Sequence, residues 1–215
     1  MRIVLAGATG LVGGFVLDRL LAHPAAPSVQ VVTRRPTGRS HARLTEQVAD
    51  VADWPSLITA GAADVGISTL GTTIRAAGSR AAFAAVDRDA VLAEARAARS
   101  AGSTHFLTVS SVGADAASAN FYLRTKGETE AALKQLSFAR LDIFRPGLLR
   151  GPRRDFRLGE RIGQAAQFLL DPLLIGSLSK YRSIAADQVA RALVASAMKT
   201  EPGHHVHHHD EMMGC

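Results

Sequence analysis

Cysteine is almost absent: the only one, Cys215, is the last residue, so the chain has no intrachain disulfide framework and no thiol cluster to hold a metal. A reducing cytoplasm is the compartment this predicts. Aromatic residues make up only 5%, and there is no helix-turn-helix, zinc-finger or RNA-binding signature. Nucleic acid is therefore not an expected partner, although 25 Lys and Arg against 19 Asp and Glu leave a charge of +6 that favours anionic ligands. Long apolar runs are also missing. The greasiest stretch away from the N-terminus, 168–175, is broken by Asp171 and Pro172, far short of the roughly eighteen residues a membrane span needs. Met1 to His23 has the outline of a secretory leader, but four glycines, Asp18 and Arg19 interrupt it. No membrane association is expected.

The 215 residues, 47% of them apolar, suffice for one domain with a full core, expected to span 1–215. Apolar periodicity predicts strands at Arg2–Ala6, Val29–Thr33, Glu46–Val51, Val65–Leu70, Phe106–Ser110 and Phe138–Phe144. Between them fall helices at Leu11–Ala22, after the Asp53-Trp54-Pro55 start signal, at Arg80–Ala98, and ending at Glu128–Leu136. Strands alternating with helices predict an α/β fold, a Rossmann-type doubly wound parallel sheet. After Pro146 the composition shifts to Gly, Pro and Arg, with a helix expected at Ile184–Met198. Residues 147–183 are expected to form a small C-terminal cap over the carboxyl ends of the strands, where open α/β sheets bind ligands.

Gly7, Ala8, Thr9, Gly10, Leu11, Val12 and Gly13 directly follow the first strand and open the first helix. Glycines at this spacing allow a tight turn, a close approach of backbone to a pyrophosphate, and close helix–strand packing. The free N–H groups of the helix start then face the phosphates. At the end of the second strand, where an acid would select NAD(H), stand Arg34 and Arg35. Two guanidinium groups there suit a 2′-phosphate, so NADP(H) is preferred over NAD(H). Asp50 and Val51 are expected to flank the adenine, and Leu70, Gly71 and Thr72 to pass beside the ribose and pyrophosphate.

Tyr122 and Lys126 stand four apart and so share one helix face. A neighbouring ammonium favours the ionised form of a phenol and equips it to exchange a proton with a carbonyl oxygen while hydride moves. Ser110 and Ser111 end the preceding strand, where a hydroxyl could hold the substrate oxygen; strand-end capping is the alternative. A run of arginines, Arg145, Arg150, Arg153, Arg154, Arg157 and Arg161, reads as a solvated basic loop ahead of an anion site. The tail His204, His205, Val206, His207, His208, His209 reads as a solvated edge strand ahead of a metal site, and no metal is expected.

Taken together these residues resemble the short-chain dehydrogenase/reductases. More narrowly, Val86-Asp87-Arg88-Asp89, Ser110-Ser111-Val112-Gly113-Ala114-Asp115, Tyr122 to Lys126 with Gly127-Glu128, and Arg145-Pro146-Gly147 are similar to the Tat-interacting-protein-like atypical group. The resemblance implies an NADPH-binding Rossmann domain with Ser111, Tyr122 and Lys126 in the catalytic positions. Ser110, Tyr122, Lys126, Pro146 and Gly147 are placed on the cofactor side. The expected activity is NADPH-dependent reduction of a small-molecule carbonyl substrate. An NADPH-binding protein-interaction module without turnover is the alternative, followed by a nucleotide-sugar epimerase or dehydratase. The helices at Arg80–Ala98 and around Tyr122 could pair two copies into a homodimer, although core packing explains their apolar faces equally well.

Overall fold

The computed structural model describes residues 1–58, 61, 63–151, 171, 174 and 176–215. Its first strand, β1 (Arg2–Ala6), is buried on both faces from Ile3 onward, as a central strand of a covered parallel sheet must be. Helix α1 (Leu11–Ala22) follows and returns the chain to β2 (Ser28–Thr33), which pairs with β1, and then to β3 (Leu44–Val48). The short α2 (Trp54–Leu57) leads into β4 (Val65–Ser68) on the other side of β1. After α3 (Ile74–Ala77), one helical run comprises α4 (Arg80–Ala84), a π-helical turn (Ala85–Ala90) and α5 (Val91–Ser100). The chain continues through β5 (His105–Val109), α6 (Phe121–Lys134) and β6 (Arg140–Phe144). A two-strand parallel ribbon, β7 (Leu149–Arg150) and β8 (Ile184–Ala185), precedes α7 (Ala186–Ala197), the edge strand β9 (Gly203–His207) and α8 (His209–Met213).

The main sheet has seven strands in the order β3-β2-β1-β4-β5-β6-β9, every pair parallel. Its two faces carry separate cores. Ile3, Leu5, Val31, Ile67, Leu107 and Phe144 pack against α1 and α7. On the other face Phe106, Leu141 and Ile143 meet α5, while Val4, Ala6 and Val32 pack with Trp54 of α2. Each Val, Leu, Ile or Phe among them contributes about 1.5–3 kcal/mol on burial, and a one-residue slip would send each set to the opposite face, into a core packed for the other. This is the doubly wound parallel sheet that the strand–helix alternation predicts.

Several boundaries differ. The third strand runs Leu44–Val48, not Glu46–Val51, because β2 ends at Thr33 and leaves no ladder partner beyond Ala49; Asp50 and Val51 enter a 3₁₀ turn instead. The fourth stops at Ser68, so Leu70 to Thr72 are loop, because β1 turns away at Gly7, whose φ is +85°. The long helix after Arg80 is interrupted by the π-helical turn. In the histidine tail the edge strand holds, but only alternate side chains are solvated: His204 and Val206 are exposed, whereas His207 stacks on Phe144 and donates to buried Asp142. The expected cap lies largely outside the described residues, and of the arginine run Arg153, Arg154, Arg157 and Arg161 lie outside them too.

Candidate functional site

The chain moves outward from β1 to β3, then returns to β4, so the carboxyl ends of β1 and β4 form the point where the strand order reverses. Open α/β sheets place their ligand crevice there. Gly7 fills the space at the end of β1: a Cβ on it would lie 2.6 Å from Thr69, and one on Gly13 would lie 2.1 Å from the Gly7 carbonyl and 2.5 Å from Thr69 Oγ1. Thr69 in turn donates its hydroxyl to Ala6 O at 2.9 Å. Threonine at this position, which the glycine spacing does not reveal, is the floor on which the turn is built.

Above that floor, Thr9 and Gly10 are exposed, Leu11 is half-buried, and Val12 and Gly13 are buried. Gly10 caps α1 without a side chain, and the first turn of α1 has no acidic residue. The N–H groups at the helix start are therefore left to an anionic ligand. These residues fit a dinucleotide pyrophosphate: a cradle closed to side chains, an exposed glycine backbone and an uncapped helix start.

Arg34 and Arg35 are both exposed immediately after β2. Among the described residues neither guanidinium has an ion pair, whereas Arg39 is held by Asp18 at 2.9 Å. Asp50 and Val51 lie two and three residues beyond the shortened β3, still at the carboxyl end of the sheet. Leu70, Gly71 and Thr72 form the loop after β4, pinned by the Thr72 N–H, which donates to Asp87 Oδ2 at 2.8 Å.

Asp87 lies in the π-helical turn and is buried, and its other oxygen, Oδ1, is 2.7 Å from Lys126 Nζ. That approach lacks hydrogen-bond alignment and is a charge contact. Lys126 also donates to Val109 O at 3.5 Å, which places its ammonium under the end of β5. Tyr122 is one helical turn earlier on α6, half-buried against Phe83 with ring centroids 5.5 Å apart. Asn120 sets where that turn begins by accepting from the N–H groups of Tyr122 and Leu123.

The two serines have different surroundings. Ser110 is buried, and its hydroxyl donates to Glu130 Oε1 at 2.5 Å; Glu130, one turn beyond Lys126, is also gripped by both nitrogens of the Arg145 fork. Ser110 therefore fastens β5 to α6 through its hydroxyl. Ser111 is half-buried, and among the described residues its hydroxyl has a single contact, 3.3 Å to Val112 O. The loop that follows it is pressed onto α6 at Gly127, where a Cβ would come within 2.2 Å of Ala116 N. Pro146 is buried and accepts the Val112 N–H at 3.0 Å, while Gly147 packs against the carbonyl of Arg182, so both hold the Ser111 loop and chain crossing in place.

Asp87, Thr69, Glu130, Arg145 and Gly127 thus join the site. Glu130 had a visible signal, since Tyr122, Lys126 and Glu130 recur every four residues on α6. Asp87, Gly127 and Arg145 lie in the motif blocks that carry the family resemblance, but the contacts that give them and Thr69 their places join distant segments. Among the described residues no group of three His, Cys, Asp or Glu could hold a metal ion, and no helix is long and apolar enough to cross a membrane.

Residues 3–206 match the model of the NAD dependent epimerase/dehydratase family. The chain belongs to that family. It is 36% identical over 211 residues to "Protein fmp52, mitochondrial" of Emericella nidulans, covering 94% of this chain and 89% of that protein. It is 38% identical over 162 residues to "Protein HTATIP2" of Rattus norvegicus, covering 74% of this chain and 66% of that protein. The motif resemblance to the Tat-interacting-protein-like atypical group is thereby borne out. Among solved structures, a UDP-glucuronic acid 4-epimerase from Bacillus cereus in complex with NAD superposes with a TM-score of 0.68 at 16% identity, covering 96% of this chain and 77% of that one. At that identity the likeness concerns the fold.

Membership of this NAD dependent family supports binding of a nicotinamide dinucleotide. The expected cytoplasmic compartment is corrected: several relatives are named as mitochondrial proteins. A single cysteine does not distinguish one compartment from another.

Proposed function

We propose that this chain is an NADP(H)-dependent oxidoreductase that reduces the carbonyl group of a small molecule. The observation that carries the reading is that Lys126 reaches the end of β5, the strand that leads into the loosely held Ser111, with Tyr122 one turn earlier on the same helix, at the carboxyl end of the sheet that also carries the glycine turn. In this reading Ser111 and the Tyr122 hydroxyl hold the substrate oxygen. Tyr122 gives its proton to that oxygen as the carbonyl carbon is reduced to an alcohol, and the Lys126 ammonium stabilises the phenolate left behind. Bound nicotinamide supplies the hydride. Arg34 and Arg35, exposed and without ion pairs among the described residues, are assigned to the 2′-phosphate, which favours NADP(H) over NAD(H).

Fluorescence titration with NADPH and NADH tests the cofactor, followed by a carbonyl screen with Tyr122→Phe as control. Tight NADPH binding and turnover that Tyr122→Phe abolishes support the reductase. Binding without turnover by the natural chain would move the reading to a cofactor-dependent interaction module. Cofactor retained in oxidised form through purification would favour the epimerase chemistry for which the family is named.

A further inference from the structure

Glu94 is the most deeply buried acid on the α5 face of the sheet and has no part in the chemistry above. It is 0% exposed, and its Oε1 accepts the Ala6 N–H at 3.2 Å, at the last residue of β1 before the glycine turn. From the neighbouring strand, Ser68, the last residue of β4 and fully buried, sets its hydroxyl against the same carboxyl. The strand ends that Glu94 touches are those that continue into Gly7 and Thr69, the two sides of the phosphate turn. Among the described residues no salt bridge involves Glu94 and no charged side chain is recorded against it; the polar groups recorded at its carboxyl are the Ala6 N–H and the Ser68 hydroxyl. Both Glu94 Oε2 and Ser68 Oγ lack an aligned hydrogen-bond partner.

We propose that Glu94 is a positioning residue for the dinucleotide site, acting as a neutral carboxylic acid that ties the carboxyl ends of β1 and β4 together beneath the phosphate turn. A proton on Oε2 turns that oxygen into a donor, with the partnerless Ser68 Oγ as the nearby acceptor, while Oε1 keeps the Ala6 N–H. An ionised Glu94 would instead place a full negative charge in the core, with no cation to balance it and close to the turn that receives an anionic pyrophosphate. Burial, the largest influence, pushes the acid up to about 8, against the smaller opposing influence of the nearby Ser68 hydroxyl and of the Ala6 N–H. Dinucleotide binding therefore weakens on the alkaline side, as the charge appears under the turn.

This rests on the dinucleotide reading above, and the experiment separates the two. NADPH affinity is measured by fluorescence between pH 6.5 and 9.5 for the natural chain and for Glu94→Gln, which keeps the shape and cannot ionise. The expected result is a natural-chain Kd that is flat below pH 7 and rises at least fivefold by pH 9.5, with a flat profile in Glu94→Gln. An alkaline step that survives in Glu94→Gln, or a natural chain with no step, overturns the role of Glu94 and leaves the cofactor site standing. Absence of NADPH and NADH binding at every pH overturns both. If Glu94→Gln fails to fold, infrared spectroscopy of the natural chain decides: a protonated-carboxyl band present at pH 7 and lost in step with affinity supports the proposal, and its absence at pH 7 overturns it.

Discussion

Lys126 Nζ lies 2.7 Å from Asp87 Oδ1, and both side chains are almost completely withdrawn from solvent. Asp87 stands where the Arg80–Ser100 helical run widens into a π-helical turn, and its second oxygen holds the Thr72 N–H of the loop after β4. One carboxylate thus connects the lysine of α6, the adjacent helix and a loop bordering the glycine turn. π-Helical turns are rare and frequently mark functional positions, because the extra residue re-aims a side chain. Here a side chain of the π-helical turn, Asp87, meets the lysine to which the family resemblance assigns a catalytic role.

Removing either member of this buried pair leaves the other charge uncompensated, which typically costs 3–5 kcal/mol. Asp87→Ala should therefore lower unfolding free energy by about 3 kcal/mol, measured by urea denaturation. Asp87→Ala combined with Lys126→Met should recover part of that loss because no lone charge remains. A double substitution as unstable as the sum of the single ones would show that the two residues act independently.

Gly127 admits no side chain because Ala116 N and Asp115 C stand 2.2 Å from where its Cβ would be. Gly127→Ala must push the Ser111–Ala116 loop off α6. Overpacking of this kind costs about 1–3 kcal/mol. Turnover should fall more than NADPH affinity, since the displaced loop carries Ser111 and the glycine turn lies elsewhere; steady-state kinetics beside a fluorescence titration reads the split.

The serine pair separates in the same way. Ser110→Ala removes one donor from Glu130, which the Arg145 fork still grips, so the cost is about 1 kcal/mol of stability with catalysis largely kept. Ser111→Ala should leave stability within about 0.5 kcal/mol and lower kcat on the order of 100-fold, the usual effect of deleting one donor to a developing oxyanion. A reversal of these outcomes would exchange the roles of the two hydroxyls.

Arg34→Ala with Arg35→Ala should weaken NADPH binding at least tenfold, since a hydrogen bond to a charged group contributes about 1.5–3 kcal/mol, and leave NADH binding little changed. Equal weakening of both nucleotides in a fluorescence titration would mean that the arginines supply general attraction and do not read the 2′-phosphate.

The parallel sheet was legible because its signals are local. β1 is an uninterrupted apolar run ended by Gly7, and Leu11–Ala22 has helical spacing, so strand, turn and helix could be placed to the residue. Tyr122 and Lys126 were legible because four-residue spacing on a helix guarantees a shared face. Asp87, Glu94 and Glu130 were not assigned roles, because an acid in a helix reads as solvated until its neighbours are known. Each is buried by a partner distant in sequence: Lys126 for Asp87, Ala6 for Glu94, Ser110 and Arg145 for Glu130. The ends of the third and fourth strands were misplaced for a related reason. Val51 and Leu70 are as apolar as strand residues, and only the lengths of β2 and β1 decide where the ladder stops.

Asp142 gives the clearest acid response. It is fully buried in β6 and accepts from His105 Nε2 at 2.7 Å, from His207 Nε2 at 2.6 Å, and from Arg140 through two nitrogens. An ionised carboxylate only accepts, so both histidines present their Nε2–H to it. Burial alone would raise its pKa, but the hydrogen bonds from His105, His207 and Arg140, with the arginine charge, outweigh burial and hold the carboxyl well below the ordinary carboxylate range. A group depressed in this way adds stability that is complete above its unfolded value, near 3.8, and is lost as pH falls from there toward the folded value. Unfolding free energy of the natural chain should therefore be insensitive to Asp142 between pH 5 and 8 and should decline below about pH 4. Asp142→Asn should be less stable at pH 7, where Asn presents its own donors to a pocket built of donors, and should show a shallower decline in acid. Equal acid slopes in chemical denaturation from pH 2 to 5 would place the acid sensitivity on other carboxylates.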